Sequence, residues 1–358
     1  NITESEYVKV MSQVKDAGDI MVSAGKECPT IFEIETAAAF LWFYEKKPDV
    51  VLLETGMGGE LDATNLITHP LASVITSISM DHMQFLGDTI ASIARAKAGI
   101  IKVGCPVYAA EQNQVVKEVL TAVASEKDAP IVFADTQTDI LLEDKPGNMA
   151  FSHVLASGVG ITLKTVMAGV YQVKNAALAA EVAYALLPVL MSNEKKEAAG
   201  RSYAKSLEEH ILEIIRDGME KTRWPGRFEV VSTEPFLVID GAHNEDAAKQ
   251  LAATIENCFT NTRLTYIIGV LADKEHEKML RIMSPFAKRV YTVTPHNARA
   301  LDAERLAKEA SNYYENVLAC ESVEKALEEA LSHEEPVLAF GSLSYLGDLK
   351  CAFDSLKK

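Results

Sequence analysis

The sequence predicts a two-domain α/β protein. From Arg227 onwards, strand-like and helical stretches alternate, which predicts a Rossmann-like doubly wound parallel sheet with right-handed crossovers. Before that point, short β-branched runs bounded by turn residues predict a mostly parallel sheet. Pro225 and Gly226 interrupt a helical pattern and mark the boundary between the two sheets. We therefore predict domains at 1–222 and 223–358.

The elements of the first domain follow from periodicity and breakers. Helical patterns cover 4–25, 31–44, 112–127, 170–181 and 194–221, and the second of these is expected to pack on the sheet. Apolar β-branched runs predict buried parallel strands at 49–54, 72–80 and 130–135. Short alternating runs between 139 and 166 predict a small antiparallel β addition.

The second domain repeats one pattern. Its strands are predicted at 236–240, 265–269, 289–294, 317–319 and 337–340. Its helices are predicted at 247–258, 275–287, 302–312 and 323–331.

Composition excludes several function classes. The chain has 358 residues, 48% of them hydrophobic, and a formal charge of −16, which argues against nucleic acid or an anionic membrane as a partner. We find no apolar run of membrane-spanning length and no signal peptide at the start. The five cysteines form no Cys-x-x-Cys pair, as expected for free thiols in a reducing cytoplasm. A cytoplasmic monomer is expected.

Two apolar runs end in residues that can bind metal. Glu54 ends the first run, and Asp81-His82 follow the second. Ligands of open α/β sheets bind beyond the carboxyl ends of the strands, so Glu54 and His82 are expected at one sheet edge, where they could hold a divalent cation. Residue spacing alone leaves open that Glu54 merely ends a strand and that His82 is a satisfied turn histidine.

Three motifs carry a family resemblance. The segments ETGMGGELDATN, SMDHMQFLG and AKAGIIK resemble the folylpolyglutamate synthase and dihydrofolate synthase family, within the Mur ligase superfamily. The resemblance implies a Mur-ligase-like central domain at 1–222, with Glu54 and His82 as Mg²⁺ ligands. ATP and up to two Mg²⁺ ions are the implied cofactors, and K⁺ or Mn²⁺ remains compatible. Residues 55–65, within the first motif, are called the glycine-rich loop below.

Lys97 lies in the third motif and is a cation near the expected magnesium site. A cation beside magnesium would repel it, but the superfamily resolves this by carbamylation, which turns the amine into an anion that can bind a second Mg²⁺. A desolvated lysine near metal would have a lowered pKa, which favours the modification. The resemblance thus gives Lys97 a catalytic and a metal-binding role; an ordinary surface lysine is the alternative.

The resemblance also implies a folate pocket. An aromatic ring can stack on a heterocycle while a polar group fixes its orientation, but a core role for Phe32 is an equal alternative. The implied folate-binding residues are Thr30, Ile31, Phe32, Glu33, Leu61, Asp62 and Ala63.

Nucleotide contacts are implied in both halves of the chain. Asn175 is expected at the base edge, with helix capping as the alternative, and Tyr171 stands where the family commonly has His. Arg227 is expected on a phosphate, because its planar fork gives two parallel hydrogen bonds. Asp240 ends a strand and is expected on the ribose hydroxyls.

Glutamate contacts are implied at two further strand ends. His243 follows Asp240 in Asp-Gly-Ala-His-Asn, and Ser342 follows the last predicted strand in Phe-Gly-Ser-Leu. The resemblance offers both as residues that hold the incoming L-glutamate, and His243 as a catalytic residue.

The implied reaction is ATP-driven amide bond formation. A folate-type carboxylate, from dihydropteroate or a tetrahydrofolate polyglutamate, becomes an acyl phosphate that the glutamate amine attacks. Two alternatives stay open: a cell-wall Mur ligase acting on a nucleotide-linked peptide, and a non-catalytic folate- or nucleotide-binding relative.

One part of the family pattern is missing. Residues 1–358 contain no Gly-x-x-x-x-Gly-Lys-Ser/Thr loop to cradle the ATP phosphates. We expect that Asn1 is an internal position of a longer ligase and that the chain lacks the first strand and helix of its N-terminal sheet; a degenerate protein is the alternative. The chain alone is then expected to bind ATP weakly and to have no ligase activity. The ATP phosphates are expected between the halves, with residues 222–227 as a hinge.

Overall fold

The computed structural model describes residues 1–80, 83–191, 200–273 and 276–357. Contacts between residues divide the chain into two compact units, Asn1–Phe133 and Ala134–Lys358. Each unit contains a parallel sheet with helices, so the predicted α/β class is confirmed. The division falls at residue 133, and the predicted domains 1–222 and 223–358 stay a prediction.

A short parallel sheet lies in the first unit. Its strands are β1 (Ser73–Ile75), β2 (Val107–Ala109) and β3 (Ile131–Phe133), in the order β1-β2-β3. Its helices are α1 (Glu4–Ser23), α2 (Ile31–Lys46), α3 (Met83–Leu86), α4 (Ile90–Ala98) and α5 (Gln114–Glu126). Helices α4 and α5 share one core with β1 and β2, in which Ile93, Val107 and Leu120 are fully buried.

Two predictions for this unit are wrong. Residues 49–54 form no strand, and Leu52 is 91% exposed. A strand needs a hydrogen-bonded neighbour, and β1 pairs only with β2 among the described strands. Among the described residues helix α2 packs mainly on α1 rather than on the sheet, and Ile31 is 76% exposed.

A small antiparallel sheet begins the second unit, as predicted. Its strands are β4 (Ile140–Lys145), β5 (Asn148–Val154) and β6 (Gly160–Thr165), in the order β4-β5-β6. Helices α6 (Val170–Leu190) and α7 (Gly200–Lys221) cover it and share a core that contains Phe151, Leu163 and Ile211.

Contrary to the sequence prediction of no membrane-spanning run, the 21 residues of helix α6 are long and apolar enough to cross a membrane by length and composition alone. The same helix places Val173, Ala176 and Ala180 in the core with the small sheet, and it buries the polar side chains of Gln172 and Glu181. These contacts place part of α6 in the core of the second unit.

The rest of the second unit is a doubly wound sheet. Its strands are β7 (Glu229–Thr233), β8 (Phe236–Ile239), β9 (Leu264–Ile268), β10 (Ala287–Thr292), β11 (Val317–Ala319) and β12 (Val337–Phe340). Its helices are α8 (Glu245–Cys258), α9 (His276–Met283), α10 (Ala303–Ala310), α11 (Val323–Leu331) and α12 (Leu346–Leu356). The order is β11-β10-β9-β12-β8-β7; β7 is antiparallel to β8, and the other pairs are parallel.

The two faces of this sheet have separate cores. Helices α8, α9 and α10 pack on Val238, Tyr266 and Phe340, whereas α11 and α12 pack on the alternate residues Leu237 and Ile267. Strand β12 lies between β8 and β9 although it comes last in the chain, so the strand order reverses at this place. Ligands of such sheets bind beyond the carboxyl ends of the strands at the reversal.

Candidate active site

The glycine-rich loop packs against the C-terminal turn of α4. A Cβ added to Gly59 would lie 2.8 Å from the carbonyl oxygens of Ala96 and Lys97, and one on Gly99 would lie 2.5 Å from the Glu60 backbone. Only glycine allows this approach of backbone to backbone. The Glu60 N–H also donates to the Ala96 carbonyl at 3.2 Å. The structure therefore brings the first and third sequence motifs into contact.

The amide of Asn65 joins the same two segments. Its Nδ2 donates to the Glu60 carbonyl at 3.1 Å and to the Gly99 carbonyl at 3.2 Å. Lys102 Nζ in turn donates to the Asn65 carbonyl at 3.2 Å. We predicted no role for Asn65, because the Gly99 carbonyl is distant in sequence and no motif signals a backbone acceptor.

Asp62 organises the loop from within. Its Oδ2 accepts the N–H of Met57 at 2.9 Å, and its Oδ1 accepts the N–H and hydroxyl of Thr64 at 2.9 and 2.6 Å. Partial burial opposes ionisation, but these hydrogen bonds outweigh it and lower the pKa of Asp62. Leu61 beside it is 97% exposed and Ala63 is half-buried. The predicted folate contacts of these residues stay predictions.

The predicted metal ligands are partly described. Glu54 is exposed, and no hydrogen bond or ion pair engages its carboxylate within the part of the chain that the structure describes. Lys97 is half-buried rather than desolvated. His82 lies outside the described residues. The segment leading towards it is fixed by Gln112, which donates to the Thr76 carbonyl at 2.8 Å. No group of three His, Cys, Asp or Glu side chains gathers to hold a metal among the described residues.

The predicted folate residues at the start of α2 have structural contacts. Thr30 and Glu33 form a capping box: the Glu33 carboxylate accepts the Thr30 N–H at 2.7 Å, and the Thr30 hydroxyl accepts the Glu33 N–H at 3.3 Å. The Phe32 ring lies over Gly56, where a Cβ would approach it to 2.5 Å. The start of α2, including Ile31, therefore lies beside the glycine-rich loop.

Asp240 follows β8 in the second unit and is 5% exposed. Its Oδ2 accepts the N–H of Phe228, and its Oδ1 accepts the N–H of Ala242, both at 2.8 Å. Burial raises the pKa of Asp240, while these hydrogen bonds and the charge of Arg227 oppose the rise. Both oxygens thus hold the turn beyond β8, and the predicted ribose contact stays a prediction.

Arg227 and Tyr171 lie beside Asp240. A Cβ on Gly241 would lie 2.5 Å from Arg227 Nη1, so the guanidinium packs on the Gly241 backbone. Tyr171, at the start of α6, has its pKa raised by burial and by the charge of Asp240. Asn175, one turn further along α6, is exposed and donates to Gln172 Oε1 at 3.1 Å.

The predicted glutamate residues follow neighbouring strands. His243 follows β8 and Ser342 follows β12, which pair in parallel. His243 Nδ1 lies 2.8 Å from the Gly241 carbonyl and donates to it, so Nε2 is the ring nitrogen that this bond leaves open. Ser342 is 5% exposed, and its hydroxyl accepts the Ser344 N–H at 3.2 Å as the cap of a 3-10 turn.

Comparison with known proteins covers almost the whole chain. The Mur ligase middle domain matches residues 3–183, and the Mur ligase glutamate ligase domain matches residues 226–343. The chain is 34% identical over 356 residues to the dihydrofolate synthase/folylpolyglutamate synthase of Bacillus subtilis, which covers 98% of this chain and 78% of that protein. The corresponding protein of Mycobacterium tuberculosis is 33% identical over 92% of this chain and 68% of its own length.

Solved structures match equally widely. The folylpolyglutamate synthase of Mycobacterium tuberculosis complexed with ADP and AMPPCP superposes with a TM-score of 0.80 at 27% identity, over 99% of this chain and 79% of that one. Escherichia coli FolC in complex with DHPP and ADP has a TM-score of 0.77 at 28% identity, over 100% and 78% of the two chains. The chain belongs to the Mur ligases, in the family of folylpolyglutamate and dihydrofolate synthases.

Proposed function

We propose that the chain is an ATP-dependent ligase that joins L-glutamate to a folate-type carboxylate, from dihydropteroate or a tetrahydrofolate polyglutamate. One observation carries the proposal: Arg227 packs on Gly241 beyond β8, the strand that His243 follows, and Ser342 follows the adjacent parallel strand β12. A relative named for this activity matches 98% of the chain. Solved relatives in complex with ADP, AMPPCP and DHPP support nucleotide and pterin ligands.

The chemistry requires no protein nucleophile. The folate carboxylate attacks the γ-phosphorus of ATP, and the bond from that phosphorus to the oxygen bridging it to ADP breaks. ADP departs, and the folate carboxylate is converted to an acyl phosphate. The amine of glutamate then attacks the acyl carbon, loses a proton, and expels inorganic phosphate. Such a reaction needs positioned substrates and neutralised phosphate charge.

In this proposal the second unit holds nucleotide and glutamate. The Arg227 guanidinium binds a phosphate, Asn175 contacts the base, and Asp240 fixes the turn and reaches the ribose. His243 and Ser342 hold the glutamate. The Gly241 carbonyl engages Nδ1 of His243, so Nε2 is the ring nitrogen left to contact that substrate.

The first unit holds the folate and the magnesium. Mg²⁺ usually binds one or two carboxylates together with substrate phosphates, and the exposed Glu54 carboxylate, unengaged among the described residues, fits that donor set. Bound magnesium would supply phosphate charge neutralisation. Glu54, His82 and a carbamylated Lys97 would hold it, while the pterin contacts would come from Thr30 to Glu33 and from Leu61 to Ala63.

Phosphate release tests the proposal. The product of the whole open reading frame is incubated with ATP, Mg²⁺, L-glutamate and either dihydropteroate or tetrahydrofolate. Release that requires both the folate and glutamate is expected. Release with a nucleotide-linked cell-wall peptide instead would indicate the Mur-type alternative, and tight folate binding without release would indicate a binding protein. A soluble, cytoplasmic monomer belongs to this proposal and is tested by fractionation and light scattering.

A further inference from the structure

We infer that Asn65 is a positioning residue for Lys97, because its amide holds the glycine-rich loop on the turn of α4 that carries Lys97. The role of Lys97 in catalysis rests on the proposed function. The clamp that fixes its position rests on contacts within the first unit alone.

The two donors of one amide are divided between two segments. Asn65 Nδ2 lies 3.1 Å from the Glu60 carbonyl and 3.2 Å from the Gly99 carbonyl. The first bond closes the glycine-rich loop on itself, and the second ties it to the residue after α4. No other side chain type offers two hydrogen atoms on one neutral, planar group at this length.

The contact between the segments depends on these bonds for its register. At Gly59 and Gly99 the backbones touch without side chains, with room for no Cβ on either glycine. Bare backbone surfaces offer few apolar contacts to resist sliding. The Glu60 N–H bond to the Ala96 carbonyl and the two bonds of Asn65 therefore set the position of the loop.

The surrounding carbonyls after α4 are also capped. Ser73 Oγ donates to the Ile100 carbonyl at 2.8 Å, and Lys127 Nζ donates to the Ile101 carbonyl at 2.7 Å. Lys102 holds Asn65 itself from the other side. The backbone at Lys97 is thus fixed on several sides, while its side chain forms no hydrogen bond or ion pair within the described residues. Such a lysine is available for modification or for a ligand.

Asn65→Asp is the sharpest substitution. The side chain keeps its shape but loses both donors, and it directs a carboxylate at two carbonyl oxygens in a half-buried position. Asn65→Ser removes the amide without adding charge and serves if the first variant unfolds. Asn113→Asp is the matched control: Asn113 caps α5 by accepting the Val116 N–H at 3.0 Å, which a carboxylate also does.

Two measurements test the inference. In the first, an amine-reactive reagent labels the 358-residue chain and mass spectrometry compares Lys97 with the exposed Lys164. We expect a several-fold change in the labelling of Lys97 in Asn65→Asp and Asn65→Ser, and no change in Asn113→Asp. The second measurement uses the product of the whole open reading frame. There the two Asn65 variants should lower the kcat for ligation by on the order of 10²-fold, as for a small misplacement of an active-site group, while the KM for ATP is unchanged.

Several outcomes would overturn the inference. Unchanged labelling of Lys97 in both Asn65 variants would show that the clamp does not control its position. A lower melting temperature with normal kcat would reduce Asn65 to a structural role. If the wild type shows no ligation, the proposed function fails, and the labelling result alone decides the role of Asn65.

Discussion

His153 lies between two carboxylates in the core of the second unit. Its ring is fully buried, with Nδ1 2.8 Å from Asp139 Oδ1 and Nε2 3.6 Å from Glu181 Oε1. Burial opposes the charged form, but Glu181 and Asp139 outweigh it and raise the pKa of His153. Glu181 also accepts the Ala156 N–H at 2.7 Å, so the cluster links α6 to the small antiparallel sheet.

This cluster predicts a pH-dependent stability. A raised pKa means that the stabilisation by His153 is complete below the unfolded pKa of about 6.5 and is lost as the pH rises through the folded value. The wild-type melting temperature should fall over that window. For a unit of this size, about 1 kcal/mol corresponds to about 2–4 °C.

His153→Gln should abolish that fall and should be less stable than the wild type at pH 6, because it removes the charged imidazolium that lies between two buried carboxylates. Calorimetry from pH 6 to 9 measures both effects. His210→Gln, at an exposed histidine, is the control and should keep the wild-type slope. If His153→Gln keeps the fall in melting temperature with pH, groups other than His153 cause that fall.

Substitution of Lys97 or Glu54 should impair catalysis and leave the fold intact. Lys97→Ala and Glu54→Ala should each lower kcat by on the order of 10²-fold or more, as when a group that stabilises developing charge is removed. Short carboxylates in solution should partly restore Lys97→Ala, since they replace the oxygens of a carbamate. Lys15→Ala, at an exposed lysine of α1, should be fully active. If Glu54→Ala ligates at the wild-type rate, Glu54 is not a metal ligand.

The contact between the glycine-rich loop and helix α4 predicts a strict need for glycine at position 99. Gly99→Ala places a Cβ 2.5 Å from the Glu60 backbone, where neither segment can shift without breaking its hydrogen bonds. We expect destabilisation of about 1–3 kcal/mol, typical of overpacking. Gly18→Ala meets nothing within 4 Å inside α1 and should instead stabilise by up to about 1 kcal/mol. Urea unfolding compares the two, and equal midpoints would contradict the close contact.

At the start of α2, Thr30 is expected to have mainly a structural role and Phe32 a binding role. Thr30→Ala removes a helix cap and should cost about 1 kcal/mol of stability, with a smaller rise in the folate KM than Phe32→Ala causes. Phe32→Ala removes a ring that is 41% exposed over Gly56 and should raise the folate KM. Melting curves and steady-state kinetics on the same preparations assign each effect. A folate KM that rises only in Thr30→Ala would reverse the two roles.

Sequence patterns predicted elements whose stability is local or repeated. The strands from β8 to β12 are apolar runs separated by helical stretches, and each lies where its pattern placed it. Residues 49–54 have the same apolar, β-branched character, yet Leu52 is exposed, because hydrophobic pattern does not guarantee a hydrogen-bonded neighbour. Strand β2 was missed because Val107–Ala109 is short and carries no alternation.

Predictions of site residues had a similar limit. Candidate residues such as Arg227 and His243 could be named because the motifs contain them, and their roles stay predictions. Residues that act through backbone carbonyls could not: Asn65 reaches Gly99, and Gln112 reaches Thr76, across 34 and 36 positions of sequence. Such partners become visible only when the fold is known.

The predicted hinge at 222–227 lies within one compact unit. Segments before and after it touch: a Cβ on Gly169 would lie 2.7 Å from Thr254 Oγ1, and Cys258 Sγ lies 3.7 Å from Asp144 Oδ1. Rotation about 222–227 on ligand binding would have to break both contacts. The hinge can therefore be tested at the contacts themselves, in addition to small-angle scattering.

Cys258 reports on that rotation. Burial, followed by the nearby Asp144 carboxylate, raises the pKa of its thiol to about 12, so at pH 8 it should resist alkylation while the exposed Cys28 and Cys351 react. If residues 222–227 are the hinge, adding ATP, Mg²⁺ and folate separates Cys258 from Asp144 and exposes the thiol, and its labelling rate rises. Asp144→Asn controls for the charge, since it should lower the pKa without moving the segments. If the ligands bind and Cys258 stays as protected as before, residues 134–258 move as one body and the hinge lies elsewhere.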